Sequence, residues 1–93
     1  MNAKKIAVIT GTSTGIGFEV VLALAREGYY TYATMRDIVK ADKIMEIAQK
    51  ENLKINVLKL DVENDGSVKS AIKQIIDKNQ RIDILVNNAG WGL

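Results

Sequence analysis

Four short apolar segments, separated by stretches with helical periodicity, strongly constrain what this chain can fold into. The segments are KIAVIT at 5–10, YYTYATM at 29–35, INVLKL at 55–60 and IDILVNN at 82–88. They are rich in β-branched and aromatic residues, and the unbroken apolar run Ile6–Ile9 is typical of a strand covered on both faces. Strands that alternate with connections of helical length predict an α/β fold, with a parallel sheet and helices on both of its faces.

The segments between the strands have apolar residues at helical spacing. The first predicted helix is 15–28, and the residues that share one of its faces are Ile16, Val20, Ala23, Leu24 and Glu27. The second is 38–52, with Ile44, Ile47, Ala48 and Glu51 on one face. The third is 64–79, with Val68, Ile72, Ile75 and Ile76 on one face. We expect these faces to form the core. Gly28 is placed to end the first helix, and Asn64, Asp65 or Ser67 to cap the third.

Composition excludes several kinds of chemistry. The chain has 93 residues, so we expect a single domain over 1–93, and it has neither cysteine nor histidine. Disulfides and thiolate chemistry are therefore excluded, the commonest general base is absent, and no metal site is predicted. A net charge of +2, spread along the chain, gives no reason to expect nucleic acid or a membrane as a partner. The apolar run after Lys5 is too short for a signal peptide or a membrane span, so the expected location is the cytoplasm.

A glycine-rich loop, TGTSTGIG at Thr10–Gly17, follows the first strand directly. Gly11 permits a sharp turn off the strand, Gly15 lets the backbone approach a pyrophosphate, and Gly17 allows close packing of helix on strand. The N-terminus of the next helix offers unpaired N–H groups to phosphates. Three hydroxyl donors lie in the same loop: Thr12, Ser13 and Thr14. The loop predicts a dinucleotide site, with a glycine-rich turn that binds no ligand as the alternative. It is not a Walker loop, because no Gly-Lys-Ser/Thr closes it.

Three motifs in register resemble those of the short-chain dehydrogenase/reductase family. TGTSTGIG has the family's T-G-x-x-x-G-I-G form, LDV stands at Leu60–Val62 after the third strand, and NNAG stands at Asn87–Gly90 after the fourth. The resemblance covers the whole chain, which looks like about the first third of a family member of typical length. It implies a truncated three-layer Rossmann-type fold, β-α-β-α-β-α-β, with strand order 3-2-1-4.

The resemblance also implies which residues contact the cofactor. Gly11, Ser13, Ile16 and Gly17 would line the phosphate and ribose side, Asp61 and Val62 would flank the adenine, and Asn88, Ala89 and Gly90 would pass under the adenosine ribose toward the nicotinamide. The Asp61 carboxylate would accept from the exocyclic amine of adenine. Structural alternatives stay open, since Asp61 suits a cap and the amides of Asn87 and Asn88 tie neighbouring strand ends in this family.

The end of the second strand bears on the choice of cofactor. Asp37 lies 20 residues after Gly17, which suits an acid that accepts from the ribose 2′-OH of NAD. Arg36 suits a 2′-phosphate, the mark of NADP. In NAD-preferring members of the family the acid stands at the place of Met35, so the resemblance favours NADP, with NAD as the alternative.

The resemblance implies hydride transfer between NADP(H) and a carbonyl or alcohol substrate in the full-length protein. The family's catalytic residues are a serine, a Tyr-x-x-x-Lys pair and a further asparagine, all beyond NNAG. The tyrosines of this chain, Tyr29, Tyr30 and Tyr32, are not followed by lysine at that spacing. We therefore expect no catalytic residue in the chain and no activity of the chain alone. The alternatives are a non-catalytic dinucleotide-binding or sensor module of the same fold and a phosphate-binding α/β domain of another class.

The fourth strand predicts a further partner. With no strand beyond it, 82–88 would form an apolar sheet edge, and such an edge is a template for pairing with another chain. We expect a homo-oligomer that assembles through this strand.

Overall fold

The computed structural model describes residues 4–88, which form a four-stranded sheet and three α-helices. In chain order the elements are β1 (Ile6–Ile9), α1 (Gly15–Arg26), β2 (Tyr30–Met35), α2 (Asp42–Glu51), β3 (Ile55–Lys59), α3 (Asp65–Asn79) and β4 (Ile84–Val86). Every strand pair is parallel and the strand order is β3-β2-β1-β4, so the predicted class and order are confirmed. No helix of this part of the chain is long and apolar enough to cross a membrane.

β1 is one of the two inner strands of the sheet, and all four of its residues are fully buried. Its side chains alternate between two cores. One core contains Ala7, Ile9, Val21, Leu22, Ala33, Met35, Ala41 and Ile44, and the other contains Ile6, Val8, Tyr32 and Ile75. Helices α1 and α2 therefore cover one face of the sheet and α3 covers the other, which gives the predicted three layers.

The face that α1 buries differs from the predicted one. Ile16 is 75% exposed, and Ala23 and Glu27 are exposed as well. The residues of α1 that are buried instead are Gly17, Val21, Leu22 and Ala25. The prediction held in part, since Val20 and Leu24 pack half-buried against the core. It was wrong for the rest because this helix is apolar on nearly every side, so spacing alone could not select a face. The rotation of the helix is set by the glycine at position 17, whose small size lets that side approach the sheet.

The predicted helix 38–52 is divided in the structure. Ile38–Ala41 forms a short 3₁₀ turn, and α2 begins only at Asp42. The Asp37 carboxylate caps this turn by accepting from the backbone N–H of Val39, over 3.1 Å. A local side-chain bond of this kind stabilises the tighter turn in place of an α-helical start.

The predicted helix ends are confirmed. Gly28, with φ of +98°, follows the last turn of α1, and a left-handed residue at this position is typical of a helix C-terminus. Asn64 is the cap of α3, because its side chain accepts from the backbone N–H of Ser67 over 3.0 Å. Ser67 has another role, since its Oγ accepts from the backbone N–H of Asp61 over 2.9 Å.

The predicted face of α3 is buried in part. Ile75 is 1% exposed, while Ile76 is 39% exposed. The C-terminal end of α3 is fixed on the sheet by a polar contact, in which the Asn79 amide donates to the hydroxyl of Tyr32 over 2.9 Å.

A carboxylate beside the start of β1 links it to β4. The Asp83 Oδ2 accepts from the backbone N–H of Ile6 over 2.7 Å, and Arg81 pairs with the same carboxylate. Hydrogen bonds from Arg81 and then from the Ile6 N–H hold the pKa of Asp83 below its ordinary value. The carboxylate is therefore more stable ionised in the folded state than in the unfolded chain.

This contact predicts how stability depends on pH. Because the pKa of Asp83 is lower in the folded state, its contribution is complete above the unfolded value of about 3.9 and is lost as pH falls through the folded value. We expect Asp83→Asn to flatten the acid limb of unfolding free energy against pH, measured by urea denaturation. Asp77→Asn, which removes an exposed partner of Lys73, is the matched control and should leave the limb unchanged. An unaltered acid limb in Asp83→Asn would contradict the assignment.

Candidate functional site

The carboxyl ends of β1, β2 and β3 meet at one edge of the sheet, and a pocket of about 280 Å³ lies there. It is lined by Gly11, Ser13, Met35, Arg36, Leu60, Asp61, Val62 and Glu63. This edge is where open parallel sheets bind ligands. The volume is just under the usual lower limit of about 300 Å³ for ligand pockets, so it suits one part of an extended ligand.

The pocket brings together residues that lie far apart in the sequence. Those predicted as site residues are Gly11, Ser13, Arg36, Asp61 and Val62. The others are Met35, Leu60 and Glu63, of which Met35 and Leu60 are core residues at strand ends. Glu63 was missed, and the only signal that could have found it is its place directly after LDV.

A larger hollow of about 550 Å³ lies elsewhere, between α2 and the start of β3. Its lining includes Met45, Glu46, Leu53 and Ile55. It lies at the amino end of β3 and contains no glycine loop, so its size alone does not make it the candidate site.

The glycine loop has the geometry that its sequence predicts. Gly11 and Gly15 adopt φ of +66° and +67°, a region that favours glycine. A Cβ added at Gly15 would meet no atom within 4 Å, so open space lies over the start of α1. Thr14, the N-cap residue, makes no side-chain cap bond, and the first turn has no acidic residue. The N–H groups of this turn are therefore available to an anion, which fits a pyrophosphate.

Gly17 lies in contact with the turn below it. A Cβ added there would stand 2.3 Å from the Gly11 carbonyl oxygen and 2.8 Å from Nδ2 of Asn88. The Asn88 amide donates to that same carbonyl over 3.1 Å, and its backbone N–H donates to Oγ1 of Thr10 over 2.9 Å. The Thr10 hydroxyl in turn donates to Oδ1 of Asn87 over 3.2 Å. Both asparagines thus tie the end of β4 to the loop, which is the structural role that the sequence left open for them.

The three hydroxyls of the loop have different environments. Ser13 lines the pocket and Thr14 is exposed beside the start of α1. Thr12 is fully buried, and its hydroxyl donates to the carbonyl oxygen of Thr34 over 3.0 Å. The sequence predicted that this hydroxyl donates to a phosphate, but in the structure it donates to a backbone carbonyl.

The two charged neighbours at the end of β2 differ in their surroundings. Arg36 is exposed, lines the pocket and forms no ion pair with the residues at 4–88. Asp37 does not line the pocket, and its Oδ1 accepts from Val39 within the 3₁₀ turn. The pocket wall therefore presents the guanidinium rather than this carboxylate.

Asp61 is held by its own turn. Its Oδ1 accepts from the backbone N–H of Glu63 over 3.0 Å, which is the capping role left open by the sequence. Its backbone N–H donates to Ser67, so the position of the residue is fixed from both sides. Within the described part of the chain, Oδ2 has no hydrogen-bond donor. The predicted contacts of Ala89 and Gly90 lie outside the described residues.

Comparison with known proteins places this site in a family. The short chain dehydrogenase family model matches residues 5–92. The chain is 41% identical over 88 residues to an uncharacterized oxidoreductase of Schizosaccharomyces pombe and 38% identical over 88 residues to retinol dehydrogenase 12 of Mus musculus. It therefore belongs to the short-chain dehydrogenase/reductase family. The two relatives named here are oxidoreductases.

Solved structures show the same architecture. A metagenomic short-chain oxidoreductase in complex with NADP superposes with a TM-score of 0.89 at 27% identity, covering 97% of this chain and 41% of that one. A hydroxysteroid dehydrogenase from Escherichia coli gives 0.87 at 27% identity, covering 98% of this chain and 39% of that one. The two sequence relatives are each matched over 92% of this chain but only 26% and 28% of their own length.

The close contact at Gly17 leads to a stability prediction. Gly17→Ala should lower the unfolding free energy by about 2–3 kcal/mol, because the new Cβ would push α1 away from a backbone carbonyl that cannot yield freely. Gly66→Ala, in the first turn of α3, is the matched control, since its Cβ would meet only the Asn64 side chain at 3.3 Å. We expect that variant to change stability by under about 1 kcal/mol. Equal losses in the two variants, measured by urea denaturation, would contradict this account.

Proposed function

We propose that this chain is the NADP-binding part of an oxidoreductase that transfers hydride between NADP(H) and a carbonyl or alcohol substrate. The observation that carries the proposal is the pocket at the carboxyl edge of the sheet. There Gly11 and Ser13 of the glycine loop converge with Arg36 and Asp61, and the uncapped start of α1 follows directly in the chain. Family membership and the NADP complex of a structural neighbour support the same assignment.

The proposed roles follow from position. The first turn of α1, over Gly15, would bind the pyrophosphate, while Gly11 and Ser13 would border the phosphate and ribose side. Asp61 and Val62 would hold the adenine, with Oδ2 of Asp61 accepting from the exocyclic amine. When bound, NADPH would donate the hydride and NADP⁺ would accept it, and these residues would bind and orient the cofactor.

The preference for NADP rests on the end of β2. Arg36 provides a guanidinium at the pocket wall, and a guanidinium can make charge-assisted hydrogen bonds to a 2′-phosphate. Met35, at the neighbouring position, is 2% exposed and carries no charge that would repel a phosphate. Asp37 does not line the pocket, so its carboxylate is poorly placed to accept from a ribose hydroxyl there.

We propose further that the chain binds the cofactor without turning it over. Two of its three tyrosines are residues of β2, and Tyr29 directly precedes that strand. Tyr32 is 4% exposed, and its hydroxyl accepts from Asn79. The hydroxyl of Tyr30 accepts from Asn56 over 3.2 Å. Hydride transfer would therefore belong to the whole protein, since the chain spans little more than a quarter of its two sequence relatives.

The function and its cofactor are tested by affinity. We expect the chain to bind NADP⁺ more tightly than NAD⁺, and Arg36→Ala to weaken NADP⁺ binding by roughly tenfold while leaving NAD⁺ nearly unchanged, because a charge-assisted bond of about 1.5 kcal/mol is lost. Isothermal titration measures both dissociation constants. Arg26→Ala, which removes an exposed arginine paired with Glu51, is the control and should alter neither. If the ratio of the dissociation constants for NADP⁺ and NAD⁺ is unchanged in Arg36→Ala, the NADP assignment is refuted. If the chain binds neither nucleotide, the proposed function is refuted.

The partner proposal is a second copy of the chain, paired through β4. Among the described strands β4 bonds only to β1, and Leu85 at its centre is 57% exposed. A two-fold pairing of this short strand would place Leu85 opposite Leu85 of the second copy and satisfy the free backbone groups.

Light scattering at high micromolar concentration tests this pairing. We expect a dimer that becomes monomeric in Leu85→Lys, because a charge at the centre of the edge opposes pairing. Val39→Lys is the control, since Val39 is an equally apolar and 76% exposed residue away from β4. A monomeric parent chain, or equal loss of the dimer in both variants, would contradict the proposal.

A further inference from the structure

We infer that Thr12 is a positioning residue, whose buried hydroxyl fixes the distance between the glycine loop and the end of β2, two walls of the pocket that would hold the adenosine half of the cofactor. The inference rests on the proposed function for its ligand. It assigns to Thr12 a role behind the pocket wall in place of a direct bond to the cofactor.

The contact consists of two threonines whose hydroxyls donate to two different backbone carbonyls. The Thr34 carbonyl oxygen accepts from the Thr12 hydroxyl over 3.0 Å and from the Thr12 backbone N–H over 3.2 Å. The Thr34 hydroxyl donates to the carbonyl oxygen of Ile9 over 2.8 Å. Both threonine residues are fully buried, so water does not compete for these bonds.

These bonds lie just beyond the end of a strand ladder. The pairing of β1 with β2 ends at Ile9 opposite Ala33. After that pair, the left-handed turn at Gly11 takes the chain away from the sheet. The bonds from Thr12 to Thr34 therefore replace the ladder as the connection between the glycine loop and the end of β2.

Each threonine is next to residues that line the pocket. Thr12 stands between Gly11 and Ser13, and Thr34 directly precedes Met35 and Arg36. The loop and the end of β2 thus form two walls of the pocket, while Leu60–Glu63 form a third, and the Thr12 hydroxyl joins the first two from behind. Losing it would allow the walls to separate and would misplace Ser13 relative to Arg36.

Three variants separate positioning from packing. Thr12→Val keeps the branched shape and removes the hydroxyl, whereas Thr12→Ser keeps the hydroxyl. Thr31→Val is the matched control, because Thr31 is also fully buried in β2 and donates to a nearby backbone carbonyl, that of Tyr29, over 3.1 Å. Thr31 lies at the opposite end of the strand, away from the pocket.

The variants are titrated with NADP⁺ and with adenosine 2′,5′-bisphosphate, the adenosine half alone. We expect Thr12→Val to weaken both ligands by roughly five- to tenfold, as the loss of one buried hydrogen bond implies. Thr12→Ser should restore the parent affinity, and Thr31→Val should retain it. Equal affinity in Thr12→Val and the parent, or an equal loss in Thr31→Val, would overturn the inference.

Amide hydrogen exchange tests the same contact without a ligand. In Thr12→Val we expect faster exchange of the N–H at position 12, while the N–H of Thr10, which donates to Val86 over 3.0 Å, exchanges as in the parent. Unchanged exchange at position 12 would overturn the inference even if affinity fell. A parent chain that binds neither probe would refute the proposed function, and the exchange result would still decide whether Thr12 holds the loop.

Discussion

The contact between α1 and the turn beneath it is the constraint on which the rest of this structure depends. Gly17 lies so close to the Gly11 carbonyl that a Cβ at position 17 would overlap it. This approach holds the uncapped first turn of α1 against the glycine loop, which lines the pocket at the edge where three strands end. A bulkier residue would move the helix and its positive end away from the site.

The parallel sheet explains why the site lies where it does. Because all strands run in the same direction, the segments after β1, β2 and β3 leave the sheet at one edge, and their ladders end there together. Side chains then take over the role of the ladder. Asn88 ties the end of β4 to Gly11, and Thr12 ties the loop to Thr34. Irregular backbone can thus hold a fixed shape at the one place where a ligand needs it.

Under the proposed function, cofactor binding and hydride transfer belong to different parts of the protein. The described residues contain the groups that would recognise phosphate, ribose and adenine, and their polar contacts are directed to shaping a pocket. Tyr30 and Tyr32, by contrast, accept hydrogen bonds from asparagine side chains and pack in the core between the sheet and α3. The relatives are longer than this chain, which matches only 26% and 28% of their length. Hydride transfer in the proposed whole protein would need residues from a part that this chain does not contain.

Much of the fold could be predicted because its signals are local. The strands, Gly28 as a helix end and the Asn64 cap followed from apolar runs, glycine and capping chemistry within a few residues. The strand order followed from the resemblance to the family. The buried face of α1 could not be predicted, since an almost wholly apolar helix has no preferred side until a neighbour approaches it. The break before α2 was missed for another reason, because the Asp37 side chain competes with the helical start.

The sequence by itself determined that this is a parallel α/β unit of a dinucleotide-binding family, because the apolar strand segments and the glycine loop are patterns of residues close together in the chain. Only the tertiary structure decided what each polar residue of the loop does. Thr12, Ser13 and Thr14 look alike as hydroxyl donors in the sequence, yet one is buried, one lines the pocket and one is exposed. The direction of a side chain in a turn depends on backbone angles and on distant strands, and Thr34, 22 residues away, is what holds Thr12 inside.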